Sequence, residues 1–162
     1  MALSAFATQT VLMNNAGTAA DTITIAGVVY TLRAAVGATA NEVKIGATAT
    51  ATAQNLFDCV NATPALSGVT YGSATVRNPE ARSLKIVGAT VTLQSGVPGQ
   101  VGNRIPLATS CATDVTVGGA TFASGTGSLD LDLAGNLKTM QMPASIAEVL
   151  DKITGGVEVA PS

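Results

Sequence analysis

The sequence predicts an α+β fold: mainly antiparallel β-hairpins with one covering helix, plus an N-terminal arm and a short C-terminal helix. Three observations carry the prediction. Short Val/Ile/Thr runs meet across two-residue turns that contain Gly, the residue that enters the left-handed region without steric cost. One segment between them has apolar residues at helical rather than alternating spacing. Ala, Thr, Val and Gly, at 28, 22, 17 and 17 residues, make up half of the chain, a mixture suited to short strands and tight turns.

Taken in order, residues 1–20 form an uncharged arm, expected to run along a neighbouring subunit, with a frayed terminus or a first strand of the chain's own sheet as the other readings. Thr8, Gln9, Thr10, Asn14 and Asn15 interrupt any apolar run and no Lys or Arg opens it, so neither an export leader nor a membrane span is expected. The first hairpin is Thr22-Ile23-Thr24-Ile25, a turn at Ala26-Gly27, then Val28-Val29-Tyr30-Thr31-Leu32. Its register sets Ile25 opposite Val28 and Ile23 opposite Tyr30. A helix is predicted over residues 49–61, where Ala49, Ala53, Leu56, Phe57 and Val60 make one stripe. Thr48 caps its start and Pro64 stops its continuation. Residues 69–77 read as a strand and Asn78-Pro79 as a turn.

The second hairpin turns at Val87-Gly88, placing Ile86 opposite Ala89 and Leu84 opposite Val91. The third turns at Gly118-Gly119, placing Val117 opposite Ala120 and Val115 opposite Phe122. All three hairpins are expected to share one sheet under the helix. Between the last two, Gly-rich residues 96–103 lead into Arg104-Ile105-Pro106-Leu107, an edge strand because proline cannot donate to a ladder. Further on, Leu129, Leu131 and Leu133 alternate with Asp130 and Asp132 as a half-buried strand. Ser145 and Glu148 then form a capping box that opens a helix. The expected organisation is an arm (1–20), a β-hairpin/helix domain (21–127) and a C-terminal strand–helix extension (128–162).

Composition restricts the chemistry. The absence of His excludes His-based triads and His-ligated metals, and a net charge of −2 with scattered Lys and Arg offers no basic stripe for nucleic acid. In residues 96–103 the last Gly is followed by Asn103-Arg104 rather than Lys and Ser/Thr, so a phosphate loop is not read there. Asp130-Leu131-Asp132 opens like a calcium loop, but Ala134 and Gln141 occupy ligand positions, and the pair reads as a solvated face. Cys59 and Cys111 read as buried free thiols without a His partner. No catalytic residue, metal or cofactor is expected, and no enzyme activity.

Residues 21–127 resemble a domain that recurs in virion proteins of tailed bacteriophages. The resemblance rests on residues 21–31, on Ala40-Asn41-Glu42-Val43-Lys44-Ile45-Gly46 entering the Ala-rich helix that ends Asn61-Ala62, and on two later runs. These are Gly88-Ala89-Thr90-Val91-Thr92-Leu93 and Pro98-Gly99-Gln100-Val101-Gly102-Asn103. It covers about two thirds of the chain. The resemblance implies a virion structural role but not the exact station. The function expected is non-enzymatic, that of a capsid decoration (cement) protein on the outer surface of the major capsid lattice, with a virion location after synthesis in the bacterial cytoplasm. A tail, neck or fibre component is the alternative, and an exported adhesin or carbohydrate-binding module a more remote one. The expected partners are the major capsid protein or other virion proteins, and further copies in a homo-oligomer, a trimer among the forms allowed. Neither nucleic acid nor membrane is an expected partner. The candidate interface residues lie outside the resembling region: Leu3, Phe6, Val11, Leu12 and Met13 of the arm, and Ile146, Val149, Leu150 and Ile153 of the C-terminal helix.

Overall fold

The computed structural model describes residues 5–126, which build an α+β fold of one α-helix and two four-stranded sheets. Sheet one has the order β5 (Ala81–Val87), β6 (Thr90–Pro98), β1 (Phe6–Met13), β8 (Val115–Val117). Sheet two has the order β4 (Glu42–Lys44), β3 (Val28–Arg33), β2 (Thr22–Ile25), β7 (Leu107–Thr109). Every pairing is antiparallel except β3–β4. Ile23, Ile25, Tyr30 and Leu32 from sheet two and Val11, Met13, Val91 and Leu93 from sheet one are buried in a single core.

The helix α1 (Ala49–Asn61) closes that core, packing on β1, β4, β5 and β6. Ala53, Leu56 and Val60 of the predicted stripe are buried, and Ala49 and Phe57 pack partly against the cluster. Thr48 caps the start: its hydroxyl accepts the Ala51 N–H at 3.2 Å. The helix ends at Ala62, which turns left-handed (φ 48°) two residues before Pro64. The first hairpin also forms in the predicted register, with Ala26 (φ 55°) and Gly27 (φ 76°) in a primed turn that follows the twist of its strands. The edge strand expected over residues 104–107 is shifted: Arg104 ends a 3-10 turn, and the edge strand is Leu107–Thr109, just after the proline.

Several expectations are corrected. Within residues 1–20, Phe6–Met13 is not a protruding arm but an inner strand of the chain's own sheet, hydrogen-bonded to β6 on one side and β8 on the other. The side-chain period of two then turns Ala7, Val11 and Met13 into the core. The boundary placed at residue 20 therefore does not separate β1 from the domain.

The three hairpins do not share a sheet: the first belongs to sheet two and the second to sheet one. The third does not form. Val115–Val117 pairs with β1, whereas Ala120 and Phe122 bond to Leu107 and Ile105. Gly118 passes close to the Gln9 amide and the Thr10 hydroxyl, which would have to shift to admit a side chain, so this glycine serves close approach rather than a two-residue turn.

The second hairpin is offset by one residue, with Val87 opposite Thr90 and Ile86 opposite Val91 around a Gly88-Ala89 turn. A bulge at Leu84 absorbs the offset, leaving that side chain 45% exposed while Ser83 and Ile86 face inward. Residues 69–77 are not a strand. Val69 and Val76 are exposed, and the segment is held instead by Tyr71, whose buried ring donates its hydroxyl to the Thr63 carbonyl at 2.5 Å. The strand, capping box and helix expected after residue 127 lie outside the described residues.

Candidate functional site

The outward face of sheet one spans four strands, among them the two longest of the described residues, β6 and β1. Cross-strand register puts Thr8 beside Gln94, Thr10 beside Thr92, and Leu12 beside both Thr90 and Thr116. Arg82 lies beside Gln94, Lys85 beside Thr92 and Val87 beside Thr90. Cross-strand partners share a face, so threonines fill its middle, and exposed Leu12 and Val87 flank Thr90 at one end. Of the predicted interface residues, Phe6 and Leu12 are exposed on this side of β1. Val11 and Met13 are buried core residues, excluded from any interface by the same alternation. Leu3, Ile146, Val149, Leu150 and Ile153 lie outside the described residues.

At the Phe6 end the face opens into two clefts. Phe6, Arg77, Ala81, Arg82 and Ser95 line one of about 420 Å³. Glu80, Val97, Val101, Arg104 and Ile105 line another of about 410 Å³, and Pro79 and Gly96 border both. A bond of 2.7 Å from Gly96 N–H to the Glu80 carbonyl forms the saddle between them. Arg82 is held in place: its guanidinium carbon sits 5.8 Å from the centre of the Phe6 ring, and Nε and Nη2 both donate to Gln94 Oε1. Beneath the first cleft, buried Asn78 fixes the start of β5. Its Oδ1 accepts the Glu80 and Ala81 N–H groups at 3.0 and 2.9 Å. Its Nδ2 donates to the Ile25 carbonyl and the Tyr30 hydroxyl, both at 3.0 Å.

At the opposite end of β1, Asp21, Cys111 and Asp114 bring three potential ligand atoms within 4.8 Å of one another. Asp114 is committed elsewhere: Oδ2 accepts the Thr18 hydroxyl at 2.6 Å and Oδ1 the Asn15 amide at 2.8 Å. Those bonds, Thr18 first and then Asn15, hold its carboxyl below the usual carboxylate range. Two carboxylates and a thiol match neither the all-oxygen shell of calcium nor the thiolate- or imidazole-rich sets of soft metals, and the cluster ties loops together. Cys59 is a buried free thiol, pushed up to about 12 chiefly by loss of solvation. Cys111, expected to be buried, is a partly exposed free thiol, because it lies in the β7–β8 connection rather than on a core-facing strand.

Two groupings escaped the sequence. The arginines at 77, 82 and 104 are separated along the chain and converge only through the β5–β6 hairpin and the 3-10 turn at Gln100–Arg104. Asp21 and Asp114 come from different connections. Comparison of the chain with protein-family models and with curated protein sequences finds no match.

Proposed function

We propose that the chain is a non-enzymatic structural subunit of a tailed-bacteriophage particle, a decoration protein that lies on the outer surface of the major capsid lattice. The observation that carries the reading is the outward face of sheet one: four strands wide, threonine-filled, and edged by exposed Phe6, Leu12 and Val87. Such a face suits broad, shallow contact repeated many times, where multivalency lets each contact be modest. The sequence resemblance over residues 21–127 supports the same class.

The test is copy number and position. Quantitative mass spectrometry of purified virions, with cryo-electron microscopy of the particle, should find hundreds of copies on the capsid exterior. Tens of copies at the neck or tail would assign the chain to that station instead, and absence from the particle would overturn the reading.

A further inference from the structure

We propose that the pair of arginine-rimmed clefts at the Phe6 end of sheet one is a docking site for an acidic, extended protein segment carrying apolar side chains between its carboxylates. The proposal rests on the structural-subunit reading above, and names the chemistry of the partner that this end of the face would grip.

Three arguments converge on it. The first is charge. Arg77, Arg82 and Arg104 are three of the chain's four arginines, and all three line these two clefts, facing only Glu80 as a lining acid. All three are exposed, and among the described residues none of them is ion-paired; the one salt bridge, Arg33 to Glu42, lies elsewhere. Residues 5–126 carry six Lys and Arg against five Asp and Glu, and half of those cations gather at this one place, where they set up a local positive field.

The second is preorganisation. Nε and one Nη2 hydrogen of Arg82 go to Gln94, and the Phe6 ring lies beneath the guanidinium, so the Nη1–Nη2 edge remains available as a fork for a carboxylate. A guanidinium already held loses little freedom on binding.

The third is the apolar lining. Phe6, Val97 and Val101 are 36%, 46% and 47% exposed beside these cations, as contact sites for apolar side chains between the carboxylates. Two clefts joined over the Pro79–Gly96 saddle suit an extended segment rather than one compact ligand. An oligonucleotide would also seek arginines. However, base stacking needs open aromatic faces, and the only aromatic in either cleft, Phe6, already carries Arg82.

The test uses the full chain and a fluorescein-labelled peptide of alternating Glu and Leu, with a Gln-for-Glu twin, read by fluorescence anisotropy. The Glu peptide should bind at least tenfold more tightly than its twin, and more weakly as salt rises. Arg77→Gln, which removes no hydrogen bond among the described residues, should weaken binding several-fold. Combined with Arg82→Gln the loss should reach tenfold or more, whereas Lys85→Gln farther along β5 should leave binding unchanged. Equal binding of the two peptides, an equal loss in Lys85→Gln, or displacement by a single-stranded oligonucleotide at lower concentration than unlabelled peptide would each overturn the proposal. These outcomes are independent of where the chain sits in a particle, so this site and the capsid assignment fail separately.

Discussion

Asn78 uses both donors and both acceptor positions of its side chain inside the protein, joining the first hairpin to the start of β5. Asn78→Ala removes the bonds to the Ile25 carbonyl and the Tyr30 hydroxyl and takes the side-chain acceptor from two backbone N–H groups. It should lower stability by about 2–4 kcal/mol in denaturant melts. The two cysteines separate by burial. At pH 8 a disulfide-exchange reagent should label one thiol of the native chain, Cys111, and reach Cys59 only after denaturation. Folding raises the Cys59 pKa to about 12, so folding favours its neutral form. That contribution is complete below the ordinary thiol range, near about 8.5, and is lost as pH climbs towards the folded value. Equal labelling of both cysteines in the native state would contradict this burial.

Among the elements, β1 bears most directly on how the chain folds. It is hydrogen-bonded on both sides and its inward residues sit at the centre of the core, so sheet one does not survive its loss. Deleting residues 2–13, or Val11→Asp, which places an unpaired carboxylate in that core, should abolish cooperative unfolding and give no dispersed NMR spectrum. A removable arm would have left both intact. The end of α1 offers the opposite case. Ala62 occupies a left-handed cap that disfavours any Cβ, and Ala62→Gly should raise stability by about 1 kcal/mol. Thermal melts compared with the parent chain decide it.

At the scale of the described body, the two sheets are joined by chain crossovers that meet at Asp114. The β1–β2 connection supplies Asn15 and Thr18, the β7–β8 connection supplies Asp114, and hydrogen bonds tie them together. These bonds favour the ionised carboxylate, so its pKa is lower in the folded chain than in the unfolded one. The stabilisation is fully present above the unfolded carboxylate value, about 4, and is lost as pH falls through the lower folded value. Asp114→Asn should lower Tm at pH 7 and flatten the fall of Tm below that range. Parallel slopes in the two proteins would refute the tie.

What the sequence determined by itself is local. The helix, its Thr48 cap, the first hairpin and its register all depend on residues a few positions apart: spacing of apolar side chains, a hydroxyl before the first turn, Ala-Gly at a primed turn. The α+β class followed from those same signals. The tertiary structure decided everything that depends on which strand lies beside which. The alternation in Phe6–Met13 is equally consistent with covering a neighbour or filling the chain's own sheet, and only β6 and β8 on its flanks choose between them. Val115–Val117 and Ala120–Phe122 look like two arms of a hairpin until Gly118 is found pressed against Gln9, sending them to different partners. The one-residue offset at Leu84 has the same origin, since turn chemistry at Gly88 and burial of Val91 together outweigh the pairing read from sequence. The arginines at 77, 82 and 104 share a surface for a further reason: non-local pairing sets distances in space that no spacing along the chain encodes.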